Sequence, residues 1–417
     1  MTQTVRARWW WRGAYLLIFL FVLFGLGAAT VPPQGALPVE VEAVTAPYSF
    51  DFVDWESQNL AAELQRRWQA PALPESAAEQ HALVQTFLQQ EEQLLAAKGE
   101  LTRSYATRTT ALPEASALTE ALGQLHLAQS KIKPQVELLL AQQVEAVLRD
   151  ESFTVFPPVA FRLVDPPTAL IISPRDHIQN QYFVALQPGL DPQQRAKIEA
   201  ALDQRGDVSS YVTDIGGLGS YPTMVIQHTS LPYLLDTIAH EWTHNYLFTF
   251  PTAIAWEYQT DPHLTTINET TASLVGAEIS RKVIARYYPA WLDQLPAVNR
   301  AGEAVPAKPS EFYLALRRIR QEVDRLLAGG EIEAAEAYME TERLKLVEQG
   351  YPLRKLNQAY FAFHGSYALS PGSIDPTGPQ IRQLRAASPT LKSFLDRVGW
   401  LNSSEDYTAW LTEAGLN

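Results

Sequence analysis

His240, Glu241 and His244 form a His-Glu-x-x-His pattern inside the run Leu231–Phe248. On a helix, residues four apart share a face, one turn above the other. Two imidazoles so placed can hold a single Zn²⁺. Glu241 follows His240 directly, so it projects beside such a metal and can take a proton from water there. Ser230 is placed to cap the helix, and Pro232 falls in the first turn, where proline is tolerated. Leu234, Leu235, Ile238, Ala239, Leu247 and Phe248 give the run apolar flanks and mark it as a core element. Two histidines and a glutamate on a buried helix are costly without compensation. A metal compensates them; the bland alternative is a helix whose histidines only complete hydrogen bonds.

A catalytic zinc needs a third protein ligand and one open position. The metzincin continuation, HExxHxxGxxH, fails because Leu247 and Phe250 occupy its Gly and third-His positions. A site with a cysteine ligand fails because the chain has no cysteine. A glutamate on a later helix remains. Apolar spacing at Ile267, Leu274, Val275, Ile279 and Val283 predicts a helix from about Thr265, ending before Pro289. Glu269 lies in its first turns and Glu278 about two and a half turns later, so the two face different sides. Asp261 and His263, just upstream, are competing ligands.

HEWTH (residues 240–244) followed by INETTA (residues 267–272) resembles the gluzincin, or thermolysin-like, zinc metallopeptidases. The resemblance covers roughly residues 208–290. It implies His240 and His244 as metal ligands, Glu269 as the third, and Glu241 as the catalytic base. It also implies one Zn²⁺ per chain and a peptide or protein substrate. Two departures stand out. The gap from His244 to Glu269 is longer than in the thermolysin-like pattern, and Ser273 stands where that pattern has an Asp orienting the first His. A metal-bound His normally needs such an acceptor on its other nitrogen.

Ser209–Gln227 reads as strand, glycine-rich turn, strand. In gluzincins the strand before the zinc helix is a sheet edge that pairs with extended substrate, a mode suited to peptides. Gly216, Gly217 and Gly219 permit close backbone approach, and Gly217, Gly219 and Tyr221 are candidate substrate contacts. The plainer reading is a bulged hairpin. The Gly-x-Met-Glu-Asn sequence of gluzincin aminopeptidases is absent, so nothing specifies an anchor for a substrate's free amine. The resemblance further implies a His or Tyr, downstream, that donates to the developing oxyanion. The aromatic stretch Asn357–Tyr367 offers His364 first, then Tyr367 and Tyr360; the competing reading is an aromatic core helix. His81, His126, His177 and His228 have no partner spacing.

These residues need positioning elements. Three arginines, Arg6, Arg8 and Arg12, surround Trp9–Trp11 and precede the apolar stretch Gly13–Val31. Its 19 residues approach the ~20 that span a bilayer. Arginine on the near side and tryptophan at the boundary predict an N-terminus in the cytoplasm and the rest outside. Gly27-Ala28-Ala29 offers the alternative of a cleaved, secreted form. The expected order is therefore a cytoplasmic tail (1–12), a transmembrane anchor or signal segment (13–31), a Pro-rich linker (32–47), a helical region with a hairpin (48–151) and a catalytic domain (152–417). Within the last, a small mixed sheet (155–227) precedes the zinc helices (231–287) and further helices (310–414). Sheet first and helices later is an α+β pattern.

A net charge of −13 argues against nucleic acid and against anionic headgroups as partners. The lack of cysteine in a protein expected outside the cytoplasm suggests a bacterial exterior. The leading expectation is a single-pass cell-membrane zinc metallopeptidase. A non-catalytic binding or assembly protein on the same fold, and another zinc-dependent amide or ester hydrolase, are the alternatives.

Overall fold

A computed structural model describes residues 37–69, 71–107, 112–250, 254, 261–295, 310–370 and 373–416. They belong to two units, Met1–Pro47 and Tyr48–Asn417. In the first unit, helix α1 spans Leu37–Thr45, inside the stretch read as a linker. Pro38 falls in its first turn, which needs no N–H there, and Thr45 Oγ1 donates to the Val41 carbonyl (2.7 Å). The tail and the membrane or signal segment, residues 1–31, lie outside the described residues. Among the described residues no helix is long and apolar enough to cross a membrane.

The second unit begins with three helices in the region 48–151, where a helical region with a hairpin is expected. They are α2 (Phe52–Gln69), α3 (Ala77–Thr107) and α4 (Leu112–Asp150). Helices α3 and α4 pack along each other. One face of α4 buries Val136, Leu140, Val144 and Leu148 in the main core. Helix α2 is held differently: its one buried residue is Glu63, which pairs with Arg66 (2.7 Å), Arg67 (2.8 Å) and Arg162 (3.0 Å).

The single sheet expected over 155–227 is instead two three-stranded sheets. In the first, β2 (Thr168–Pro174) is flanked by antiparallel β3 (Tyr182–Leu186) and β4 (Val208–Asp214). In the second, β6 (Thr223–Ile226) pairs parallel with β1 (Phe161–Val164) and antiparallel with β5 (Gly217–Leu218). The chain changes sheet between Asp214 and Gly217. A side chain on Gly216 would begin 2.3 Å from the hydroxyl at the end of the Tyr233 ring, so glycine lets the two approach closely. Helix α5 (Pro192–Asp203), with a capping box at Asp191 and Gln194, lies beside β4.

Beyond the sheets the unit is helical, as expected. Helix α6 (Leu231–Leu247) and α7 (Pro262–Tyr287) run side by side. After them come α8 (Glu311–Ala328), α9 (Ile332–Glu348), α10 (Gln358–Gly365), α11 (Thr377–Ala387), α12 (Leu391–Gly399) and α13 (Ser404–Glu413). Ala359 and Ala362 of α10 sit on Ala169 and Ile171 of β2. Residues 353–357, inside the span 310–414 expected to be helical, are not helical. Asn357 instead caps the helix by accepting from Tyr360 N (2.9 Å).

Candidate metal centre

Helix α6 is anchored by its apolar face. Leu231, Leu234, Leu235, Ile238, Trp242 and Leu247 are buried, each contributing roughly 1.5–3 kcal/mol by leaving water. The Trp242 indole donates to the Pro157 carbonyl (2.9 Å). Ser230 caps the start and Pro232 lies in the first turn, as the sequence indicates. The opposite face carries Asp236, His240 and His244 in one line, and α7 packs over it. Ser280 Oγ on α7 donates to the Pro232 carbonyl on α6 (3.1 Å). Gly276 lets the helices approach closely. A side chain there would begin 2.8 Å from the Asp236 carbonyl.

This packing brings Glu269 of α7 to the two histidines. His240 Nε2 and His244 Nε2 lie 3.1 Å apart, and Glu269 Oε2 is 3.4 Å from the first and 3.7 Å from the second. Three donor atoms around a tetrahedral zinc stand roughly 3.4 Å apart, given bonds of about 2.1 Å. Glu269 Oε2 is buried and makes no hydrogen bond, although it faces both imidazoles at ion-pair distance. Burial opposes charge on His244, yet neighbouring Glu269 outweighs it and raises the His244 pKa. Burial likewise opposes charge on Glu269, and the imidazoles hold its carboxyl well below the usual range. The centre thus favours a positive charge at the point where the three donors meet. An orphaned carboxylate oxygen and two imidazole nitrogens fit a divalent zinc.

The two candidate histidine ligands are supported unequally. His244 Nδ1 is 2.9 Å from Asn268 Oδ1, and Asn268 donates in turn to the Ile254 carbonyl (3.1 Å). That acceptor fixes the proton on Nδ1 and leaves Nε2 free as a ligand. On His240, Nδ1 has only Ser273 Oγ at 3.5 Å. Asn268 was not marked as a support in the sequence reading; its place beside Glu269 was the available signal.

Glu241 is 6 % exposed, and burial raises its pKa against the pull of the two imidazoles. Strand β5, an outer strand of its sheet, lies over it. A side chain on Gly217 would begin 2.5 Å from Glu241 Oε1, and one on Gly219 3.3 Å from His244 Cβ. Both glycines therefore meet the motif's own side chains. Asn245 ties the turn down, donating to Ser220 O (3.0 Å) and Thr223 Oγ1 (2.9 Å). Tyr221 is placed elsewhere. Its amide donates to Glu56 Oε1 of α2 (3.1 Å), and burial raises its hydroxyl pKa beside Arg67 and Glu63.

The three oxyanion candidates separate. The Tyr367 ring lies 6.3 Å from the His240 ring. His364 packs among Tyr360 (4.3 Å), Phe363 (5.1 Å) and Tyr211 (6.3 Å). That desolvating cluster lowers the His364 pKa although part of the residue stays exposed. Tyr360 is buried against Tyr211 and Phe361. The competing metal ligands also fall away. Asp261 caps α7 by accepting from His263 N and Leu264 N. His263 Nδ1 is 2.9 Å from Ser404 Oγ, and Glu278 pairs with Lys282 and Arg385.

Known families, curated proteins and solved structures give no match to this chain. The gluzincin resemblance therefore stands on the motif residues and their geometry.

Proposed function

We propose that this chain is a zinc-dependent metallopeptidase that acts outside the cytoplasm, held to a membrane by Gly13–Val31. The observation that carries the reading is the meeting of His240 Nε2, His244 Nε2 and Glu269 Oε2 at one point beside a buried Glu241. A zinc ion held there supplies Lewis acidity, polarising a scissile carbonyl and acidifying water. Glu241 takes the proton of the attacking water and returns it to the leaving amine. Its raised pKa suits both halves of that transfer. The outer edge of β5, bearing Gly217 and Leu218, offers backbone groups to an extended peptide next to Glu241. Tyr367 is the preferred oxyanion donor, since its ring lies nearest His240 among the three candidates with ring contacts.

The test is metal analysis of the purified full chain together with digestion of a peptide library. The expected result is close to one zinc per chain, lost in His240→Ala and strongly reduced in Glu269→Ala, with zinc-dependent cleavage. Equal zinc in wild type and Glu269→Ala would remove the third-ligand assignment. Zinc without cleavage of any peptide would leave a binding protein on this fold.

A further inference from the structure

Glu269 and Thr270 are consecutive on α7 and so face different sides of it. Glu269 turns to the two histidines. The Thr270 hydroxyl, fully buried, accepts from the Ala368 N–H (3.3 Å). That N–H belongs to the peptide joining Tyr367 to Ala368, and the other end of the same peptide is also held: the Tyr367 carbonyl accepts from Ser370 N (2.8 Å). The following carbonyl, that of Ala368, lies against the bare face of Gly378 on α11, where a side chain would begin 2.3 Å from it. A planar peptide fixed at both its N–H and its C=O sets the direction in which the Tyr367 side chain leaves the backbone. Phe363 packs edge to face on the Tyr367 ring at 5.8 Å. The ring so placed stands 6.3 Å from that of His240, tilted 31° to it. Thr271, next on α7, is equally buried, yet its hydroxyl finds no hydrogen-bond partner among the described residues. The tie to Ala368 therefore belongs to Thr270 and not to α7 hydroxyls in general.

We propose that Thr270 is a positioning residue for Tyr367. Through the Ala368 N–H it ties the backbone of the oxyanion donor to α7, which brings Glu269 to the histidines one residue earlier. Third ligand and donor are then set by one rigid helix. A donor stabilises a developing oxyanion only when it already stands within hydrogen-bond reach of it. Thr270 acts through that placement alone. The proposal rests on the metallopeptidase reading with Tyr367 as donor.

The experiment uses the full chain and reads three things: zinc content, kcat and KM on a library peptide, and amide hydrogen exchange at Ala368 in the metal-free protein. Thr270→Val replaces the hydroxyl with a methyl at nearly the same volume. It is expected to keep zinc and to lower kcat about 10-fold, with KM within about two-fold of wild type. Exchange at Ala368 is expected to quicken by about 10-fold or more, because its N–H has lost its acceptor. Thr270→Ser, which keeps the hydroxyl, is expected to restore the wild-type kcat. Thr271→Val, which removes a neighbouring buried hydroxyl, is expected to change neither kcat nor exchange at Ala368. In the double variant with Tyr367→Phe, kcat is expected to equal that of Tyr367→Phe alone, since no donor hydroxyl is left to misplace. A residue that only supports the fold would add its own loss there. With Tyr367→Phe slow, any of four results in these variants would overturn the proposal: wild-type kcat in Thr270→Val, wild-type exchange in it, lost zinc in it, or multiplied losses in the double variant. Full turnover in Tyr367→Phe would instead overturn the donor assignment, and the proposal with it. A wild-type chain that cleaves no peptide would overturn the peptidase reading on which both stand.

Discussion

Under the proposed function, Glu241 is the residue at which loss of catalysis can be separated from loss of metal. Glutamine at 241 keeps the size and leaves His240, His244 and Glu269 in place, but it cannot accept a proton. Glu241→Gln is therefore expected to retain zinc and lose two or more orders of magnitude in peptide turnover, read by metal content and initial rates on one preparation. The donor to the oxyanion is tested in the same way. Tyr367→Phe removes one hydroxyl from a ring 6.3 Å from His240, and turnover is expected to fall roughly 10²-fold with zinc unchanged. His364→Phe replaces a ring already packed among Tyr360 and Phe363, and its turnover is expected to stay within a few-fold of wild type. The reverse pattern would return the donor role to His364.

At the scale of elements, the site is the product of two contacts made by α6, one with α7 and one with β5. The first brings a glutamate from a separate helix to two histidines. The second sets backbone against Glu241, and it depends on glycine for space and not for backbone twist. Alanine at Gly217 would begin 2.5 Å from Glu241 Oε1. The cheaper escape is for the end of the flexible glutamate to move, not for the strand to leave its pairing with β6. Gly217→Ala is thus expected to lower turnover by about 10- to 100-fold through a displaced carboxylate. Zinc should remain, and Tm should fall by no more than about 3 °C. A large drop in Tm would mean that β5 itself had shifted.

For the whole molecule, the electrostatics and the apolar N-terminal stretch bear on where the chain works. A charge of −13 favours neither nucleic acid nor an anionic lipid surface as a partner. On the proposed reading, membrane attachment rests on the apolar sequence Gly13–Val31 and not on basic patches. A reporter fused at the C-terminus is expected to be active only outside the cytoplasm, and the chain is expected to stay with membranes through a high-salt wash. Release by salt would contradict an embedded segment, and a mature N-terminus near Thr30 would favour the secreted form.

Local chemistry made much of the molecule legible from the chain alone. Helical spacing put His240 and His244 on one face, and Ser230 with Pro232 marked where their helix starts. Apolar periodicity located most of the helices that follow, and Ser209–Gln227 was legible as strand, glycine-rich turn and strand. These are short-range properties, set by residues a turn or a pleat apart. What depended on packing over long separations was not legible. Residue types alone left Glu269, Glu278, Asp261 and His263 all available to a metal. The close crossing of α6 and α7 at Gly276 brings Glu269 to the histidines, while Glu278 is turned to Arg385 and Lys282. The division of the strands into two sheets is set by which strands pair across long sequence separations, Phe161–Val164 with Thr223–Ile226 above all. Asp236 looked like any polar residue in the second turn of a helix. Only the approach of a second helix buries its carboxylate beside His240 and withholds a hydrogen-bond partner.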